Sequence, residues 1–454
     1  MDNVFDFRNR LINEYSSFSR SFSKVSAQDI LSKVEQEYDR GRYWPEPLIQ
    51  INPNYKRQST VQQLAHEGML HASCSHIFQT GKTEGKAADL HLYVHQLQAL
   101  AKAQKQQSYV VTTGTGSGKS LAFFVPIIDR ILKAKAADPQ KRTRAIVIYP
   151  MNALANSQLE ELDKFLHGYP DDQKPFTVAR YTGQESDADR KQIADNPPDI
   201  LLTNFMMLEL ILTRFEDVDR RVVEHCQGLE FLVLDELHTY RGRQGADVAL
   251  LVRRLRERLQ AHQLVCIGTS ATMSSTGTQA DRNQTVASVA SLLFGAQITE
   301  HDVIGETLER VTNPAKDIEA VKSLLKPALL KESYHWPDFA AFSDDPLAVW
   351  VELSLGIELP LNEPPRRARP VTLGDAAKRL ADDAQCTVEE AHAGLQRFLV
   401  AAHDVKTPQG RAPFAFKLHQ FISGPGKVLA TLEPEGVRHI TLDAQRYAPG
   451  RQDE

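Results

Sequence analysis

The stretch Tyr109-Val-Val-Thr-Thr-Gly-Thr-Gly-Ser-Gly-Lys-Ser120 limits what this chain can fold into more than any other. Val110 and Val111 are β-branched and apolar, the signature of a buried strand. Glycines follow at 114, 116 and 118, and an apolar run from Leu121 to Leu132 then has helical character. The spacing therefore predicts strand, glycine loop, helix. Glycines in such a loop let successive backbone N–H groups turn inward at the positive end of the helix, which makes a cradle for phosphate oxygens. In this pattern Thr113, Gly114, Thr115, Gly116, Ser117 and Gly118 form the cradle. Lys119 reaches the β- and γ-phosphates of ATP, and the Ser120 hydroxyl ligates Mg²⁺. The strict pattern asks for glycine where Thr113 stands.

The surrounding sequence agrees with an α/β sheet. Short apolar runs at 108–112, 145–149, 177–181, 199–203, 230–234 and 264–268 are separated mostly by amphipathic, helix-like stretches. Such alternation marks a parallel sheet covered on both faces. A length of 454 residues, 42% of them hydrophobic, allows two or three domains. The expected division is an accessory segment at 1–88, the ATP-binding α/β domain at 89–312 and a mostly helical insertion at 313–425. A partial strand segment at 426–454 would lead toward a further lobe. The net charge of −5 argues against a generally basic nucleic-acid coat, though not against a local charged groove. Four scattered cysteines without a C-x-x-C suggest neither a disulfide framework nor a cysteine-rich zinc site. No apolar run of membrane-spanning length and no signal-like N-terminus is readable, so the expectation is a cytoplasmic chain with no membrane partner.

A second anchor is Phe231-Leu-Val-Leu-Asp-Glu-Leu-His238. Four apolar residues predict a buried strand, whose C-terminal end delivers paired acids where open α/β sheets bind ligands. Asp235 is suited to hold Mg²⁺, directly or through water, and Glu236 to orient and deprotonate an attacking water.

Asp235-Glu-Leu-His238 is a DExH box, and the motifs around it follow the order seen in superfamily 2 helicases. Leu92-Tyr-Val-His-Gln96 resembles the Q-motif of that family, whose glutamine reads the adenine edge. Tyr149-Pro-Met-Asn-Ala-Leu-Ala155 resembles motif Ia, Tyr181-Thr-Gly183 motif Ib, and Leu202-Thr-Asn204 the third strand-contacting motif. Ser270-Ala-Thr272 resembles motif III. The longer strings Asp235–Gly242, Ala287–Gly295 and Lys417–Phe421 are similar to the Hrq/MrfA-like helicases, a group that includes DNA-repair helicases and the helicase subunit of DISARM phage-defence systems. In helicase-type loops a small residue is tolerated at position 113.

The resemblance implies a RecA-like P-loop NTPase domain acting as the ATP-binding lobe of a DNA helicase or translocase. It implies catalysis by Glu236, Asp235 and Lys119, adenine selection by Gln96, and coupling through His238, Ser270 and Thr272. Pro150, Asn152, Thr182, Gly183, Thr203 and Asn204 would contact single-stranded or tailed duplex DNA. It further implies a second RecA-like lobe with an arginine finger, in cis or in a partner chain. Only Gln445-Arg-Tyr-Ala-Pro-Gly-Arg451 is distantly like the arginine motif of that lobe, and no strand–helix context precedes it. The expectation is one lobe with accessory pieces. An alternative is a binding module for ATP and nucleic acid that is inactive without its partner. The compact set His66, His71, Cys74 and His76 suggests zinc less than a helix with one buried cysteine. Arg253, Arg254, Arg256 and Arg258 read as a solvated helix face before a DNA track. Tyr240, Arg241 and Gly242 are open between nucleic acid and the other lobe.

Overall fold

The computed structural model describes residues 3–21, 25–114, 116–271, 278–361, 363–423 and 428–442. Two compact units emerge, one of Tyr55–Thr307 and one that joins Met1–Asn54 to Leu308–Glu454.

The first unit is built on a seven-stranded sheet. In chain order its strands are β1 (Tyr109–Thr112), β2 (Ala145–Tyr149), β3 (Val178–Tyr181), β4 (Ile200–Asn204), β5 (Phe231–Leu234), β6 (Val265–Ser270) and β7 (Val303–Gly305). They lie in the order β7-β1-β6-β5-β2-β4-β3, every pair parallel. Six match the apolar runs of the sequence. The seventh, three residues long, is too short to show a pattern. Alternate side chains serve two cores because strand side chains alternate faces. Val111, Val147, Leu202, Val233 and Ile267 pack with α1 (Val94–Gln104), α2 (Leu121–Ala137) and α3 (Asn152–Leu166). Val110, Ile148, Leu201, Leu234 and Cys266 pack with α4 (Phe205–Thr213) and α5 (Gly242–Arg258). Each such side chain, fully buried, contributes roughly 1.5–3 kcal/mol. With both faces covered, the ligand-binding edge left to this sheet is the row of strand C-termini. This is the expected RecA-like α/β core.

Residues 55–88 fold with this sheet, although the sequence pattern suggested a separate segment ending at 88. Val61, Leu64, Leu70, Cys74, Ile77 and Phe78 belong to the core under α1 and α2.

The second unit has an antiparallel sheet in which Leu48–Asn52 lies between Val371–Thr372 and Ala415–His419. Helices Ile318–Leu329, Leu373–Ala384 and Val388–His403 pack on one core with Trp350 and Phe398. Helices fill much of the stretch expected to be a helical insertion, 313–425, up to His403. The N-terminal 54 residues join this unit through a pairing more than three hundred residues distant, which local patterning cannot signal. Among the described residues no helix is long and apolar enough to cross a membrane.

Candidate functional site

The glycine loop is held from inside and from α1. Thr113 Oγ1 and Ser117 Oγ are 2.6 Å apart and both side chains are buried, so the residue that breaks the strict pattern ties the loop shut. His95 Nε2 lies 2.9 Å from the Ser117 carbonyl oxygen. Burial pushes the His95 imidazole below its usual range, against the opposing pull of the Ser117 carbonyl. Gln96 is 2% exposed; its Nε2 donates to the Gly118 carbonyl at 2.8 Å and its Oε1 accepts the Tyr93 N–H at 2.8 Å. Its expected task of reading adenine thus falls to an amide already engaged at both ends, and Gln96 is built in as a clamp on the loop. Gly118 has φ +66°, and a Cβ there would come within 2.6 Å of Gln96 Nε2, so only glycine fits. The Gly114 N–H donates to Glu306 Oε2 at 3.0 Å, just beyond β7. Thr115 lies outside the described residues.

The paired acids stand at the end of β5, between β2 and β6. Asp235 is largely buried, which raises its carboxyl above the usual range, and a hydrogen bond from Thr269 Oγ1 to Oδ1 opposes that shift. Glu236 has φ +53°, a left-handed conformation that costs a non-glycine residue about 1–3 kcal/mol and persists only where its surroundings enforce it. Its N–H donates to Thr269 Oγ1 at 3.1 Å. On β6, a Cβ at Gly268 would collide with Leu237, so glycine there lets the acidic turn sit flush on the strand. Lys119 Nζ reaches Glu236 Oε1 at 3.5 Å, which joins the glycine loop to the acids. His238 Nδ1 lies 3.2 Å from Glu236 Oε2 and 3.4 Å from Ser270 Oγ. Glu236 Oε2 makes no hydrogen bond among the described residues, nor do the buried Tyr149 and Tyr240 hydroxyls. Thr272 lies outside the described residues.

The strand-side set is brought together in part. Asn204, at the end of β4, accepts the Met207 N–H at 2.7 Å as the cap of α4. Its Nδ2 donates to Asn152 Oδ1 at 2.7 Å and to the Thr182 carbonyl at 3.1 Å, so it fastens three strand ends. Pro150 follows β2 directly and is partly exposed. Thr203 is fully buried, its hydroxyl donating to the Tyr181 carbonyl at 2.6 Å, so it is no surface contact. The Thr182 and Gly183 N–H groups, expected to meet phosphates, donate to Glu185 Oε2 at 2.7 and 2.9 Å. Thr182 Oγ1 and Arg180 Nε also donate to Glu185, at 3.0 and 2.7 Å. Burial alone would raise the Glu185 carboxyl, yet these donors hold it below the usual range.

Residues 93–280 match the DEAD/DEAH box helicase family. The chain carries a DEAD/DEAH box helicase domain. It is 34% identical over 186 residues to the uncharacterized ATP-dependent helicase YprA of Bacillus subtilis, covering 40% of this chain and 23% of that protein. It is 28% identical over 225 residues to the ATP-dependent helicase HRQ1 of Saccharomyces cerevisiae, covering 45% of this chain and 20% of that one. The chain thus spans less than a quarter of the length of either relative. Among solved structures, the helicase MrfA bound to DNA is similar at 24% identity with a TM-score of 0.42, over 66% of this chain and 37% of that one.

Thr269, His95, Glu185 and Glu306 escaped the sequence reading because each acts on backbone groups brought near only by folding. Of the lesser candidates, Arg253 Nη1 donates to the Ala249 and Leu292 carbonyls at 2.7 and 3.3 Å. Arg254 pairs with Glu209, and Arg256 Nη2 donates to the Phe294 carbonyl at 3.2 Å. Tyr240 is buried, Arg241 Nε donates to the His238 carbonyl at 2.8 Å, and Gly242 opens α5. Among the described residues no cluster of His, Cys, Asp and Glu is arranged to hold a metal ion. Cys74 is fully buried in a short helix, its thiol pushed up to about 12 by burial first and by Asp129 next.

Proposed function

We propose that this chain is the ATP-binding lobe of an ATP-dependent DNA helicase or translocase, of the kind that serves DNA repair or phage defence. The carrying observation is that Lys119 of the glycine loop meets Glu236 of the DExH turn at 3.5 Å across the strand ends. The residues present fit a nucleoside triphosphate with its metal. Gly116, at φ +80°, has open space where a side chain would stand, and Glu236 Oε2, 3.2 Å from His238 Nδ1, makes no hydrogen bond among the described residues. The relatives' names as ATP-dependent helicases support the same reaction.

In this reading the backbone amides of Gly114–Ser120 and the Lys119 ammonium hold the phosphates, with His95 and Gln96 fixing the loop's carbonyls. Ser120 and Asp235 hold Mg²⁺, which supplies charge neutralisation at the phosphates. Glu236 accepts the proton of the attacking water. His238, Ser270 and Thr272 carry the nucleotide state toward a second RecA-like lobe, in cis or in a partner chain. Pro150, Asn152, Thr182, Gly183 and Asn204 form the edge on which a single strand lies, bound independently of its sequence.

A second reading, a binding module that turns over only with its partner, is favoured by the antiparallel sheet of the second unit, which is unlike a RecA-like lobe. An arginine finger supplied by the partner is worth about 10³–10⁵ in rate. The test is DNA-stimulated ATP turnover and displacement of a 3′-tailed duplex, with and without the second lobe supplied. Robust displacement by this chain alone, abolished by Lys119→Ala, would refute the one-lobe reading. ATP affinity equal in the parent and Lys119→Ala would refute the nucleotide site.

A further inference from the structure

Thr269 stands on β6 just before its last residue, Ser270, and none of the roles described so far needs it. It is fully buried, yet its single hydroxyl works in two directions. Oγ1 donates to Asp235 Oδ1 and accepts the Glu236 N–H at 3.1 Å. A hydroxyl is the smallest side-chain group able to donate and accept at once. Valine would fill the same volume with neither capacity.

The two partners are consecutive acids with different tasks. The bond to Asp235 fixes which way that carboxylate turns. The bond from the Glu236 N–H helps enforce the left-handed backbone of Glu236, which aims its side chain at Lys119 Nζ. The clearance at Gly268 brings the acidic turn close enough to β6 for one hydroxyl to reach both groups. On the opposite side Asp235 N–H donates to the Ile148 carbonyl of β2 at 3.0 Å, so the acid pair is pinned from both neighbouring strands.

We propose that Thr269 is a positioning residue of the nucleotide site: through one hydroxyl it sets the Asp235 carboxylate for the metal and the Glu236 turn for the water. The inference rests on the ATPase reading above. It predicts that metal-dependent and metal-independent nucleotide binding come apart, which general support of the fold would not cause.

The experiment measures ATP affinity calorimetrically on the full chain, once with EDTA and once with Mg²⁺, for the parent, Thr269→Val and Thr269→Ser. Thr269→Val should bind ATP in EDTA within about threefold of the parent. It should lose at least about tenfold of the gain that Mg²⁺ brings, the scale of a lost hydrogen bond to a charged group. Thr269→Ser, which keeps the hydroxyl, should retain that gain within about threefold. An undiminished Mg²⁺ gain in Thr269→Val, or equal losses with and without Mg²⁺ in both variants, would overturn the inference while the ATPase reading stood. A parent chain that binds no ATP would overturn both.

Discussion

The two ends of this one sheet handle their polar groups in opposite ways. Around the glycine loop and the DExH turn, groups are held in place but left partly unspent. Lys119 reaches Glu236 only at 3.5 Å, and Glu236 Oε2 with the Tyr149 and Tyr240 hydroxyls makes no hydrogen bond among the described residues. At the ends of β3 and β4 the groups are consumed internally. Glu185 takes four donors, and Asn204 spends both ends of its amide. Buried polar groups without partners are costly, so they persist where a ligand is to satisfy them. The first end is prepared for a ligand with many charges. The second is prepared as a rigid edge, on which Glu185 and Asn204 are already matched.

The sharpest way to break this contrast is at Glu236. Glu236→Gln keeps the shape but cannot accept the water's proton. Turnover of an assembled, active enzyme should fall by about 10²–10⁴. ATP affinity should hold or rise slightly, because Lys119 loses a competing carboxylate. Full turnover in single-cycle kinetics would put the base elsewhere. Next in size is Lys119→Ala, which removes a charged donor to the phosphates. Calorimetry should show ATP affinity lower by at least about tenfold, from a loss of about 1.5–3 kcal/mol. An unchanged affinity would mean that the unspent groups do not make a phosphate site.

Glu185 tests the other end. Glu185→Gln keeps the volume but leaves Arg180 and two amides poorly matched, at a cost of about 1–3 kcal/mol. In a domain of this size each kcal/mol lowers Tm by about 2–4 °C. The pH dependence has a definite sign. A carboxyl held below its ordinary value of about 4.3 contributes stability that is whole above that pH and lost as pH falls through the depressed folded value. The Tm gap between parent and Glu185→Gln should therefore be widest near neutrality and close on acidification. A constant gap, or tighter single-strand binding by the variant at neutral pH, would mean that the edge is not a sealed, rigid element.

The same contrast explains what was legible in the sequence. The loop Gly114–Ser120, Asp235, Glu236 and six strands were readable because they are contiguous strings whose residue types carry the chemistry. The structure differs wherever the partner is a backbone group distant in sequence. Gln96 reads as an adenine contact, and only the structure shows that its amide also ties Gly118 to Tyr93. Thr203 reads as a strand contact until β3 covers it. Thr269 and Glu185 have no motif, because what they bind is N–H groups presented by folding. Strand β7 and the Leu48–Asn52 strand are short and take their identity from neighbours far along the chain.

The smallest expected effect concerns the arginines of α5, which the sequence reads as a solvated helix face before a DNA track. Three of the guanidinium groups are committed within the helicase domain: Arg253 to the Ala249 and Leu292 carbonyls, Arg254 to Glu209, Arg256 to the Phe294 carbonyl. To bind a strand, each would first give up partners it already holds. An exposed ion pair such as Arg254–Glu209 is itself worth only about 0–1 kcal/mol. Arg254→Ala and Arg253→Ala should therefore change single-strand affinity by less than about twofold and leave its salt dependence alone. A residue that meets a phosphate behaves otherwise, because its removal lowers the slope of log affinity against log salt by about one. Fluorescence anisotropy with a labelled single strand at several salt concentrations separates the two cases. A drop of that size in either variant would extend the nucleic-acid surface onto α5, and the sealed edge at β3 and β4 would no longer be where the strand is held.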